Sequence, residues 1–104
     1  MERAELKKVW DLHGLSCRDA IDTEYAKKFC EKVNITFKDS LIYTKPRYRE
    51  QSDGKPRVDC EDLLIYVCKQ LKIEPNQNAL KGANMFHGEG SRRQAIEEAY
   101  LSLR

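Results

Sequence analysis

The apolar residues at the start of the chain recur at helical spacing. Leu6, Val9 and Trp10 follow a charged first turn and fit one face of a helix. Gly14 comes next, and glycine is the usual residue in the left-handed conformation that ends a helix. The pattern predicts a short amphipathic helix over residues 3–13.

A second helical face begins behind a candidate cap. Ser16 and Asp19 have the spacing of a capping box, with Asp in place of the usual Glu. The apolar residues that follow share one helix face: Ile21, Tyr25, Ala26, Phe29, Cys30 and Val33. This pattern predicts a helix over residues 17–33.

The period of the pattern changes after residue 34. Ile35, Phe37, Leu41 and Tyr43 alternate with polar residues, and the segment 52–54 (Ser-Asp-Gly) is typical of a tight turn. We therefore expect a β-hairpin over about residues 35–58. A proline in each arm, Pro46 and Pro56, leaves an unpaired edge there because proline has no amide hydrogen to donate.

Helical spacing returns after Asp59, which is placed to cap a third helix. Its predicted buried face comprises Cys60, Leu63, Leu64, Val67, Cys68 and Leu71. Ile65 and Tyr66 widen that face almost to a full circle, which predicts the central helix of the core. A short helix after Pro75 and a last helix beginning at Ser91 complete the pattern.

These segments predict an α+β, mainly helical fold: a compact single domain over residues 1–104 with four to five helices and one inserted hairpin. A chain of 104 residues is too short for two independent cores. Its longest apolar run, residues 63–68, is far below the roughly 20 residues of a membrane span. The charged N-terminus also lacks a signal-peptide apolar stretch. We expect a cytoplasmic protein with reduced cysteines and no membrane contact.

Charge changes this picture, because the positive charge is concentrated on the hairpin. Residues 41–58 hold five basic and two acidic residues, a net charge of +3, whereas the remaining residues sum to −1. Lys-Pro-Arg occurs in both arms, and Tyr43 and Tyr48 are interleaved with these cations. Cations neutralise phosphates, and aromatic rings stack on unpaired bases. The candidate binding residues are Tyr43, Lys45, Arg47, Tyr48, Arg49, Lys55 and Arg57.

Two other interpretations of the hairpin are open. The same cations could contact an acidic protein surface. Alternatively, Lys, Arg and Pro could only protect exposed strand edges from pairing with other chains.

The turn before the last helix is a candidate anion site. Arg92 and Arg93 would lie in the first helical turn, where the helix dipole disfavours cations. Free backbone N–H groups, a hydroxyl and two guanidinium groups could hold a phosphate or a carboxylate there. The candidate anion-binding residues are Gly88, Gly90, Ser91, Arg92 and Arg93. In the alternative, the arginines point into water or pair with Glu97 or another acidic neighbour.

The cysteines predict no metal site. Structural zinc ligands come as close pairs, and this chain has no C-x-x-C. Cys30, Cys60 and Cys68 fall on apolar helix faces, where cysteine behaves as a small hydrophobic residue. Cys17 lies near the N-terminus of the helix predicted over residues 17–33, which would favour its thiolate. No motif predicts a cofactor.

Two short motifs resemble those of Smr domains. Residues 11–14 (Asp-Leu-His-Gly) resemble their D-x-H-G opening, and residues 87–91 (His-Gly-Glu-Gly-Ser) resemble their second glycine-rich motif. The resemblance implies a nucleic-acid hydrolase in which His13 and His87 face one cleft beside Asp11. A hydrophobic strand leads into each motif of an Smr domain, whereas the residues before Asp11 predict a helix.

The sequence therefore predicts a small non-catalytic intracellular binding module. Its expected partner is a polyanion, a nucleic acid, held by the basic hairpin. One alternative is a regulator or inhibitor that binds an acidic protein surface, and the second is an Smr-like nucleic-acid hydrolase. We assign no catalytic residue, since no side-chain set has a spacing typical of catalysis.

Overall fold

Five α-helices and a small antiparallel sheet form the part of the chain that the structure describes. The structure is a computed structural model and describes residues 1–43, 56–83 and 88–102. The helices are α1 (Arg3–Leu12), α2 (Thr23–Lys32), α3 (Cys60–Leu71), α4 (Gln77–Ala83) and α5 (Glu89–Leu101). The strands are β1 (Ala20–Asp22), β2 (Ile42–Tyr43) and β3 (Arg57–Asp59), and a 3-10 turn, Asp39–Leu41, precedes β2. The prediction of a mainly helical α+β fold with an antiparallel hairpin is confirmed.

The central strand of the sheet is β3, which pairs with β1 on one side and with β2 on the other, both antiparallel. Val58 lies opposite Ile21 of β1 and opposite Ile42 of β2. Its side chain is fully buried in the core. This row of aliphatic residues attaches the sheet to the helices.

The core is built mainly from α1, α2 and α3. Trp10 packs edge-on against Phe29, with ring centroids 5.7 Å apart. Leu63, Leu64 and Val67 of α3 are fully buried, as expected for a central helix. Asp59 caps α3 as predicted, since its carboxylate accepts a hydrogen bond from the Glu61 N–H at 2.9 Å. In the described ranges, no helix is both long and apolar enough to cross a membrane.

The predicted helix over residues 17–33 is wrong in its first third. Residues 20–22 form β1, and α2 begins only at Thr23. Ser16 does not cap a helix, because residues 17–19 are not helical. Its side-chain and backbone oxygens accept the N–H groups of Arg18 and Asp19 in a turn. The pairing of Ile21 with Val58, distant in sequence, overrides the local helical period.

Three other boundaries also differ from the prediction. Residues 35–38 form no strand, although Ile35 and Phe37 pack against the core, so the first arm of the hairpin shortens to β2. Helix α4 begins at Gln77 rather than at Pro75, since the Asn76 side chain accepts hydrogen bonds from the next turn. Helix α5 begins at Glu89, two residues before the predicted start.

Candidate nucleic-acid interface

The basic hairpin is connected to the sheet by the pairing of β2 with β3. Tyr43 lies opposite Arg57, so the segment between them leaves and rejoins the sheet at one residue pair. Five candidate binding residues, Lys45, Arg47, Tyr48, Arg49 and Lys55, lie outside the described residues. The side chain of Tyr43 is not described either. Arg57 is therefore the candidate whose contacts can be examined.

Arg57 is engaged within the sheet. It lies opposite Asp22 of β1, and its Nη2 is 3.8 Å from the Asp22 carboxylate. Its Nη1 donates to the backbone oxygen of Ala20 at 3.4 Å. The side chain is 25% exposed, so the guanidinium is only partly accessible to a phosphate. Arg57 connects the two strands at the start of β3.

At the other end of β3, Arg93 reaches from α5 into the interior. Its Nη1 donates to both carboxylate oxygens of Asp59, at 2.7 and 2.8 Å, and to the backbone oxygen of Cys17 at 3.2 Å. The Arg93 side chain is 8% exposed and that of Asp59 is 1% exposed. Charged hydrogen bonds of this length between buried groups are strong, because water does not compete for them.

Arg92 and Glu61 extend this arrangement toward the surface. Arg92 Nη1 lies 3.3 Å from one Glu61 oxygen, and Arg93 Nη1 lies 3.9 Å from the other. Glu61 is 9% exposed, whereas Arg92 is 40% exposed. We call Asp59, Glu61, Arg92 and Arg93 the buried charge cluster.

The cluster supplies acids at the predicted anion site from within the chain. Asp59 and Glu61 face the two arginines, while Ser91 and Gly88 are exposed. Because α5 starts at Glu89, Arg92 closes its first turn with an N–H that bonds to the Gly88 oxygen at 3.0 Å. Arg93 lies beyond that turn, where the dipole opposes a cation less, so the expectation that both arginines occupy the first turn is wrong for Arg93.

Glu97 bridges two other parts of the fold. Its Oε1 accepts hydrogen bonds from the Trp10 side chain at 2.9 Å and from the Cys17 backbone N–H at 3.1 Å. The sequence indicated Glu97 only as a possible partner of the arginines, and it did not single out Glu61. No local pattern in the sequence brings these residues together, because the contacts are long-range.

All four cysteines are free and buried. Burial raises the pKa of Cys30 to about 11 and the pKa of Cys60 and of Cys68 to about 12. Burial, and next the neighbouring carboxylate of Glu97, raise the pKa of Cys17 well above its ordinary value. The prediction of a favoured Cys17 thiolate is wrong, since this residue lies in the interior ahead of β1.

The first Smr-like motif lies at the end of a helix. Residues 3–12 are helical, so no strand leads into Asp11, and Gly14 has the left-handed φ of +65° that ends α1. His13 Nδ1 lies 3.0 Å from the Val9 backbone oxygen, and its ring contacts Tyr25 and Phe29. His13 thus caps the helix and packs on α2, and His87 lies outside the described residues.

Comparison of this chain with known proteins identifies no relative. No family model, curated protein or solved structure matches this chain. Within residues 1–43, 56–83 and 88–102, no group of three or more His, Cys, Asp or Glu residues is placed to hold a metal ion.

Proposed function

We propose that this protein is a non-catalytic binding module that holds a nucleic acid through the basic hairpin. The observation that carries the proposal is the pairing of Tyr43 with Arg57. It keeps the two ends of the intervening segment together, and we take the charges of that segment as one binding region. The cations within that segment are Lys45, Arg47, Arg49 and Lys55.

The distribution of acids supports the hairpin over the other arginines. Arg57, Arg92 and Arg93 each face a carboxylate of the fold. A phosphate bound to one of them would compete with that carboxylate. Residues 44–55 hold four basic and two acidic residues, a net charge of +2 on a short segment. A polyanion is attracted to the region where positive charge is most concentrated.

The test compares two variants that lose the same charge. The hairpin variant replaces Lys45, Arg47, Arg49 and Lys55 by Gln. The control variant replaces four exposed lysines of α1, α2 and the loop after α2 by Gln: Lys8, Lys28, Lys32 and Lys38. The dissociation constant is measured with single-stranded and duplex oligonucleotides over a series of salt concentrations.

Wild-type affinity for the duplex should fall linearly on a log–log plot against salt, with a slope of about −3 to −4 if roughly four phosphates are neutralised. The hairpin variant should lose the binding and the control variant should keep most of it. Binding that is unchanged in the hairpin variant, or that falls equally in both variants, would overturn the proposal. Hairpin-dependent binding of an acidic protein but of no oligonucleotide would replace the nucleic acid by that class of partner.

Substitution of Tyr48 tests whether the hairpin binds single strands by base stacking. Tyr48→Ala should weaken single-strand binding by about 1–3 kcal/mol and leave duplex binding nearly unchanged, because only unpaired bases can stack on its ring. Equal losses on both probes would show that Tyr48 does not contribute by base stacking.

A further inference from the structure

A groove of about 440 Å³ separates the C-terminal half of α3 from α5 and from the linker before α4. This volume is within the range of about 300–1,000 Å³ that is typical of ligand sites. The described residues that define its character are Ile65, Lys69, Lys72, Ile73, Pro75 and Tyr100. None of them belongs to the hairpin or to the buried charge cluster.

Half-buried apolar side chains line the groove at the edge of the core. The sequence predicts that α3 is apolar almost all round, because Ile65 and Tyr66 extend its buried face. Tyr66 packs against the core, and its hydroxyl donates to the Thr36 backbone oxygen at 2.7 Å. Ile65 lines the groove, and so do Ile73 and Tyr100, which also pack against the core; all three are half-buried. Half-buried apolar side chains on a concave surface can contact an apolar side chain of a partner.

The rim of the groove is basic. Lys69 and Lys72 are exposed. Lys69 follows Ile65 by one helical turn, and Lys72 is the left-handed residue that ends α3. Glu74 is the acidic residue among the described lining residues, so the two ammonium groups outnumber its carboxylate. Burial, and next the neighbouring Cys68 and Glu74, raise the pKa of the Tyr100 hydroxyl above its ordinary value, which already lies well above neutral pH. The protonated hydroxyl can donate a hydrogen bond to a carboxylate.

We propose that this groove docks a short acidic segment of a partner protein. A large apolar side chain of the segment lies on Ile65 and Ile73, and neighbouring carboxylates face Lys69 and Lys72. Apolar burial supplies most of the affinity, and the charges select the acidic sequence and its orientation. The proposal does not depend on nucleic-acid binding, because it uses different residues.

The probe is a short synthetic peptide of Asp and Glu that contains one leucine and one phenylalanine. A second peptide has Lys at every acidic position, and a third has Ala at both apolar positions. Titration into the whole chain, followed by NMR, should shift the signals of Ile65, Ile73 and Tyr100 with the first peptide.

Charge reversal tests the rim. Lys69→Glu combined with Lys72→Glu should weaken the acidic peptide by about tenfold or more and strengthen the basic peptide. The matched control is Lys28→Glu combined with Lys32→Glu, an exposed pair on α2, which should change the affinity by less than about twofold. Circular dichroism checks that both variants keep the wild-type helix content.

Several outcomes would overturn the proposal. These are no binding of the acidic peptide to wild type, equal weakening in both charge-reversal variants, or equal binding of the peptide that lacks its apolar residues. A further outcome is that the peptide leaves the groove signals of the wild-type protein unshifted and no longer binds the hairpin variant. The acidic partner would then bind residues 43–57, and the groove proposal would be overturned.

Discussion

The two regions next to β3 differ in the number of acidic residues that accompany their arginines. At the C-terminal end of β3, Arg93 is buried against Asp59 and Glu61. Just before β3, residues 44–55 contain four basic residues and only two acidic ones. A buried guanidinium requires a carboxylate because an unpaired charge in the interior is strongly disfavoured. An excess of basic over acidic residues, as in residues 44–55, is what the proposed binding of a polyanion requires.

Residue type alone does not identify the acids near the turn before α5. Two arginines near glycines and a helix start predict a site for a phosphate or a carboxylate. The carboxylates of Asp59 and Glu61 already face them, through contacts that no local pattern reveals. Substitution of Arg93 in the buried charge cluster should therefore change the stability more than substitution of an arginine in the hairpin.

Replacing Arg93 by Met should destabilise the fold by about 3–5 kcal/mol, because it leaves the Asp59 carboxylate buried without its partner. Urea unfolding measures the free energy. Adding Asp59→Asn should recover part of the loss, since Asn is uncharged and can still cap α3. If Arg93→Met were neutral, or if the two changes were simply additive, the pair would not act as a buried ion pair.

Alkaline pH should destabilise the fold through its buried thiols. The pKa of Cys30 is raised to about 11 and the pKa of Cys60 and of Cys68 to about 12. The unfolded chain therefore loses these protons near its ordinary thiol pKa of about 8.5, while the folded chain keeps them. The stabilisation is complete below that pH and is lost as the pH rises toward 11–12.

The decline should reach at most about 1.4 kcal/mol per pH unit for each thiol. Urea unfolding between pH 7 and 10 under reducing conditions measures it, and Cys60→Ala should make the slope shallower. The hairpin variant should keep the wild-type slope, because residues 41–58 contain no cysteine. An unchanged slope in Cys60→Ala would contradict the burial of this thiol.

Arg92→Gln should have the smallest effect, a loss of about 0.2–1 kcal/mol, because its ion pair with Glu61 is partly exposed and screened by water. Arg47→Gln in the hairpin is the comparison, and its unfolding free energy should stay within about 0.5 kcal/mol of wild type. High salt should reduce the Arg92 effect. If Arg92→Gln destabilised the fold as much as Arg93→Met, water would not screen the ion pair between Arg92 and Glu61, and this prediction would be wrong.

The fold was most predictable where several local signals agreed. The helix over residues 3–13 combined an apolar face with Gly14, and the structure ends α1 at Leu12. Helix α3 combined its Asp59 cap with a long apolar face. The candidate site was less predictable. The hairpin pairing and the excess of positive charge could be inferred from the sequence, but the intramolecular partners of Arg57, Arg92 and Arg93 could not.

The sequence by itself determined the helical period of α1 and α3, the turn at Gly14 and the concentration of positive charge before β3. Each of these depends on residues that are close together along the chain. Only the tertiary structure decided that residues 20–22 form a strand and that Arg93 is buried in an ion pair with Asp59. Both features depend on contacts of β3 with residues that are distant in sequence. Such contacts leave no periodic pattern in the local sequence, so a reading of the local pattern cannot predict them.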